Sequence, residues 1–199
     1  MNAVVEEIKD DESEHETSES QIEQANKVVR NYAIGSVIPS LIPVPAVDLV
    51  AVTGIQLKML HSLAAIYDVP FKEELVRSSI SSVIGGTVAL SVSRVASSAI
   101  KAIPGVGTMI GSLAMPTVSG ATTYGLGRVF IQHFESGGTF LTFDADKVRD
   151  YFEQEFKKGK AVVAEANESG EIDQAVADAK ATHQSTDGKS KSTGTTTTK

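Results

Sequence analysis

The chain has 199 residues, 18 of them basic and 25 acidic for a formal net charge of −7, and it has no cysteine. That length fits one ordinary domain with tails, and the missing cysteine excludes disulfides, thiol catalysis and thiolate metal sites. Residues 1–30 hold nine acids against three bases, 31–143 five against six, and 144–199 eleven against nine; the acidity lies at the ends, and no basic stripe exists to displace counterions from a nucleic acid.

Residues 1–19 are dominated by acids such as Asp10, Asp11, Glu12, Glu14 and Glu16, with little to bury. Such a segment cannot offset its ordering entropy and reads as a disordered acidic tail. It lacks the basic start and apolar stretch of a secretory signal, so the chain is expected to begin in the cytoplasm. Ser20 and Glu23 have capping-box spacing, and Ile22, Ala25, Val29 and Tyr32 share a face, which predicts a helix over 20–34. Pro39, Pro43 and Pro45 make the next stretch an irregular but apolar connector. A second helix is predicted over 45–67, with Asp48 complementing its dipole, and Asp68 and Pro70 end it.

A third helix is predicted over 71–102, opening on Glu73 and Glu74. Ser81, Gly85, Ala89, Ser93 and Ser97 recur every four residues along it. All are small, which suits close approach of another helix, so Gly85→Leu is expected to overpack an interface. Pro104, Gly105 and Gly107 form a tight turn into a helix over 106–136. The two arms make a Gly/Ser-rich hairpin, with Gly107 and Gly111 spaced to face the stripe. From Ala102 to Gly127 no residue is charged, a run long enough to cross a hydrocarbon layer of about 30 Å as a helix. Pro116 is expected to kink it and Arg128 ends it. Gly137 and Gly138 break the chain, and Asp144 caps a helix over 145–158 with Val148, Tyr151, Phe152 and Phe156 on its apolar face and Gly159 as its left-handed stop. Residues 159–199 read as a polar tail, partly helical and then disordered. The fold class is therefore all-α: a compact bundle over 20–158 around that hairpin.

Candidate chemistry is sparse. The glycines from Gly105 to Gly111 follow a helix end, not a strand, and no Gly-Lys-Ser/Thr triplet occurs, so a helix turn explains them better than a phosphate loop. His15, His61, His133 and His183 have no metal-ligand spacing, and no serine lies in a nucleophile elbow. Asp48 and Gln56, eight apart on one helix face, read as a helix-start acid and a core amide ahead of a functional polar pair. No catalytic, cofactor or metal residue is expected, and the chain is read as a non-enzyme without a cofactor.

The order of Ala33-Ile34-Gly35, Ile42-Pro43-Val44-Pro45-Ala46-Val47-Asp48, Gln56-Leu57-Lys58-Met59-Leu60 and Ile66-Tyr67 resembles the bacterial domain-of-unknown-function family 697. The resemblance continues through Ile103-Pro104-Gly105-Val106-Gly107, Thr122-Thr123-Tyr124-Gly125-Leu126-Gly127 and Phe134-Glu135-Ser136-Gly137-Gly138, and covers about residues 25–158. It implies a helical domain fused to or encoded beside small GTPases and often associated with membranes. No GTPase domain is present in this sequence, so such a partner would be a separate chain. Pro43, Pro45, Asp48, Gln56, Pro104, Gly105 and Gly107 are its structural signature, and no catalytic residues carry over.

Two function classes stay open. One is an accessory or scaffold on the cytoplasmic side of the bacterial inner membrane, touching it through 78–127 and serving a GTPase or another protein partner. Lys72, Arg77 and Arg128 flank that hairpin as the positive-inside rule asks. The other is a soluble, cytoplasmic helical protein-binding module, which the interrupting Arg94 and the dense serines favour.

Overall fold

The computed structural model describes residues 2–39, 47–85 and 107–190, with side chains over 18–39, 50–85 and 116–181. In chain order the helices are α1 (Asn2–Gly35), α2 (Val47–Ile66), α3 (73–85), α4 (Gly107–Glu135), α5 (Ala145–Glu168) and α6 (Glu171–Ser190). No strand occurs among the described residues. The all-α bundle expected from helical spacing and caps is the fold that forms.

Several helix ends follow local chemistry directly. Asp144 caps α5, its carboxylate accepting from the Asp146 N–H at 3.1 Å. Asp68 takes a left-handed φ of 52° after α2, and the Val69 N–H closes back on the Ala64 carbonyl at 2.8 Å. Gly137, at φ 75°, ends α4 in the same way, with Gly138 donating to the His133 carbonyl at 2.9 Å.

Two boundaries differ from expectation. The backbone of α1 is helical from Asn2, so Ser20 lies inside the helix and the acidic residues 2–19 continue it. Its many glutamates are good helix formers. At the other end, α5 runs past Gly159 to Glu168. The left-handed glycine is Gly170, at φ 78°, and it separates α5 from α6. Gly159 is buried in mid-helix for a packing reason given below.

Hydrogen bonds and contacts fix the helix directions. Gln21 reaches the Ile66 carbonyl and Tyr32 meets Ser62, so α1 and α2 are antiparallel. Ser119 bonds the Ser36 carbonyl and Arg128 bonds Asn26, so α4 is antiparallel to α1. Gln56 meets Thr123 and Tyr67 meets Glu135, so α4 runs parallel to α2. From Pro116 to Phe134 only Gln132 is exposed, which makes α4 the central helix.

A helix that is apolar all round is buried in a protein core or in a membrane. Over the described side chains of α4, the uncharged run that could have spanned a bilayer is protein core. Phe130 lies fully buried against Phe134, Phe140 and Phe143, and burying each such ring contributes roughly 1.5–3 kcal/mol. Among the described residues no helix is long and apolar enough to cross a membrane.

The small-residue stripe can be followed at its first two positions. Ser81 and Gly85 are exposed, and a Cβ built on Gly85 would meet nothing within 4 Å. Spacing identifies a shared face but not which side of the helix the bundle covers; α3 buries Val76, Ser79, Ile80 and Val83 instead. Ala89, Ser93 and Ser97 lie outside the described residues, as do Pro43, Pro45, Pro104 and Gly105. Gly107 and Gly111 lie in the first turns of α4, and Asp48 in the first turn of α2.

Candidate functional site

A close seam in the bundle joins α4 and α5. Gly159 packs on α4 with so little room that a Cβ would lie 2.9 Å from the Ala121 Cα and 3.0 Å from the Ala121 oxygen. At Gly125 a Cβ would come within 3.2 Å of Phe152 and of the Phe156 nitrogen, and at Gly120 it would run into Val163. Gly127 does the same on the other side of α4, against Val29 and Met59. These four glycines let α4 sit between α1, α2 and α5 at near-backbone distance.

One polar centre is built into that seam. Glu155 is 1% exposed, on the same α5 face as Phe152 and Gly159. Its Oε1 accepts from Lys158 Nζ at 2.6 Å and its Oε2 from Arg128 Nε at 3.3 Å. Arg128, 25% exposed at its side chain, also donates through Nη1 to the Asn26 oxygen on α1. Burial acts to lower the Arg128 pKa, but the neighbouring Tyr151, Glu155 and Tyr124 outweigh it and raise it, so the guanidinium stays charged. The hydrogen bond to Glu155 likewise raises the Lys158 pKa. One carboxylate therefore ties three helices: α5 directly to α4, and through Arg128 to α1.

Other polar groups, buried or partly exposed, are similarly paired across helices. Gln56, 2% exposed, donates to Thr123 Oγ1 at 3.3 Å. Ser119 donates to the Ser36 carbonyl at 2.8 Å. At the far end of α4 the Tyr67 hydroxyl donates to Glu135 Oε1 at 3.0 Å. Burial, and then that hydrogen bond, push the Tyr67 pKa well above its ordinary 10.0.

Gln56, the one signature residue with a described side chain, is thus a core amide whose partner is Thr123 of α4. Asp48 and Gln56 begin and continue the same helix, but only the Gln56 side chain is described. His61 lies edge-on to Phe71 at 4.9 Å, and His133 Nε2 lies 2.9 Å from the Thr139 carbonyl. Among the described residues no three His, Asp or Glu side chains are grouped to hold a metal. The arrangement offers cross-helix registration: its carboxylate, amide and hydroxyls are engaged with one another.

The Arg128–Glu155 centre is absent from the sequence-based expectations, although a signal for it exists. Val148, Phe152, Glu155 and Gly159 form one helical stripe, so Glu155 is an acid on an apolar face. Arg128 is the first charge after a long neutral run. Two opposite charges in apolar settings are candidates for each other.

Comparison with known proteins extends these observations. Magnetosome membrane protein 22 of Magnetospirillum gryphiswaldense (strain DSM 6361 / JCM 21280 / NBRC 15271 / MSR-1) is 42% identical over 160 residues, which cover 80% of this chain and 82% of the relative. No solved structure matches. The family described as "Domain of unknown function (DUF697)" matches residues 6–161, a span that takes in Gln56, Thr123, Arg128, Glu155 and Gly159 and stops before α6. With its central helix, glycine seam and buried ion cluster all inside that match, the chain belongs to the domain-of-unknown-function family DUF697.

Proposed function

We propose that this protein is a non-catalytic, membrane-associated helical accessory module on the cytoplasmic face of a bacterial membrane. The observation that carries the reading is its 42% identity, over most of both chains, to a protein named for the magnetosome membrane. The site supports a structural role, because its polar groups tie helices together instead of converging on a cleft. Contact with the membrane is assigned to the region 78–127, where only Arg94 and Lys101 are charged. The finer reading is that the module serves a separate GTPase chain, and it rests on the family resemblance.

Flotation of the purified full chain with lipid vesicles tests the membrane reading. Recovery with the vesicles is expected, and a protein that stays at the bottom of the gradient sinks it. Cross-linking in cells followed by mass spectrometry tests the partner. A GTPase among the linked peptides is expected, and consistent capture of other proteins without one removes that part.

A second reading, a soluble helical binding module, is favoured by one observation. The described side chains of α4, from Pro116 to Phe134, are spent on the protein's own core. A monodisperse protein indifferent to vesicles supports this reading against the first.

A further inference from the structure

We propose that α6 is exchanged between two copies of this chain: the link at Ser169 and Gly170 straightens, and each copy's α6 covers the cluster of Ile34, Val37, Val163 and Ala166 on the other. The partner is a second copy, and the inference is independent of any membrane contact.

The backbone of Gly170 turns α6 away from α5. α5 ends at Glu168 and α6 begins at Glu171. Between them Ser169 keeps a right-handed helical backbone, at φ −76° and ψ −9°, whereas Gly170 is left-handed at φ 78°. Glycine takes either hand about equally readily, so the link has two conformations of similar energy. The bend interrupts the helical ladder. The Gly170 N–H falls back to the Asn167 carbonyl at 3.3 Å, three residues away, and the next bond runs from the Gln174 N–H to the Gly170 carbonyl at 3.0 Å. With Gly170 helical, the N–H groups of Gly170, Glu171, Ile172 and Asp173 would each reach the carbonyl four residues back. No proline lies between Ala145 and Ser190, so no residue of that stretch blocks one continuous helix.

Straightening lifts α6 off its seat. Ile172 is buried in the cluster and Val176 packs against it, while Asp173, Gln174, Ala177 and Asp178 are exposed. Arg30 donates to both carboxylate oxygens of Glu171, at 2.8 and 3.1 Å. The apolar face and its seat cannot both stay wet without loss. The α6 of a second copy carries the same Glu171, Ile172 and Val176, and it restores the contacts that the first copy gives up. The seat is also self-contained: none of its residues belongs to the main core around Phe130. Exchange therefore costs the association of two chains and gains the repaired ladder at both links, a balance that turns on concentration. A foreign partner would have to imitate α6, which a second copy supplies by definition.

The chain has no cysteine, so cross-links can be placed one at a time. Full-length Arg30→Cys and Glu171→Cys proteins are mixed at high concentration and treated with a short bis-maleimide; losing this exposed ion pair disturbs the seat little. The expected product is a covalent dimer whose linked peptides join residue 30 of one chain to residue 171 of the other. Arg30→Cys mixed with Leu141→Cys gives the background from random collision. Gly170→Ala, which resists the left-handed bend, should lower the dimer dissociation constant in sedimentation on the order of tenfold. Gly170→Asn, which tolerates that bend, should stay near wild type. A 30–171 product no more abundant than the background overturns the exchange, and so does an unchanged dissociation constant in a helical Gly170→Ala protein. A dimer in which the double variant Arg30→Cys/Glu171→Cys links only within one chain also overturns it. If Gly170→Ala loses its helical circular dichroism, the cross-linking alone decides.

Discussion

On α4 and α5, Gly120, Gly125 and Gly159 sit where a side chain would strike another helix; on α3, Ser81 and Gly85 are exposed, and no described residue comes near a Cβ built on Gly85. In the sequence the second set is the more conspicuous, because its members recur every four residues. The seam glycines on α4 are irregularly spaced, and the fourth contributor comes from α5. The contrast shows that spacing defines a face of one helix, whereas an interface also needs a second helix delivering its own small residue to the same place, as Gly159 does opposite Ala121.

The sharpest way to break this comparison is Gly159→Leu. The obstructing atoms are backbone and cannot rotate away, so the loss of stability should reach or exceed about 3 kcal/mol, the upper part of the overpacking range. Denaturant melting would show it, and a wild-type midpoint would mean the seam is looser than its geometry. Next is Arg128→Met, which removes the cation that joins α4 and α1 to Glu155. Breaking a buried ion pair costs about 3–5 kcal/mol; Lys158 stays bound to Glu155, so roughly 2 kcal/mol is expected from the same melts. On the open side the sign should reverse. Gly85→Ala adds a methyl to empty space in a helix and should stabilise by roughly 0.5–1 kcal/mol. A destabilised Gly85→Ala would restore the stripe as an interface.

A smaller effect concerns alkaline pH at the far end of α4. Tyr67 is held protonated in the fold, by burial and by its bond to Glu135, with its pKa raised above the ordinary 10.0. The unfolded chain ionises first, so this contribution is complete below pH 10 and is lost as pH rises from there through the folded value. Tyr67→Phe should therefore flatten the decline in stability above pH 10 relative to wild type. Parallel slopes for the two proteins would remove Tyr67 from the account.

Much of the fold can be read from local chemistry. Asp144 as a cap, Asp68 and Gly137 as helix stops, and the Val148, Tyr151, Phe152 and Phe156 face all depend on neighbours in sequence, and all appear as expected. What was not legible depends on distant partners. Gly159 looks like a helix stop until Ala121 is placed beside it, and the neutral run looks like a membrane span until its described part, from Pro116, is found packed among three other helices. Glu155 was within reach, since an acid on an apolar stripe implies a buried cation. The family resemblance located Gln56 and Thr123 separately, but only the fold brings the two together.

The last helix has a consequence of its own. α6 lies beyond the family match and packs through a separate small cluster, in which Ile172 meets Ile34, Val37, Val163 and Ala166. One polar tie is Arg30 to Glu171 at 2.8 Å, with both side chains about two-fifths exposed, and such a pair is worth ~0.2–1 kcal/mol. A terminal helix docked on a cluster of its own, apart from the main core, opens without waiting for the rest of the chain. The molecule should thus comprise two cooperative folding units of unequal strength joined at Gly170. Amide hydrogens of α6 should exchange through this local opening, well before those of α4, which are released only by global unfolding.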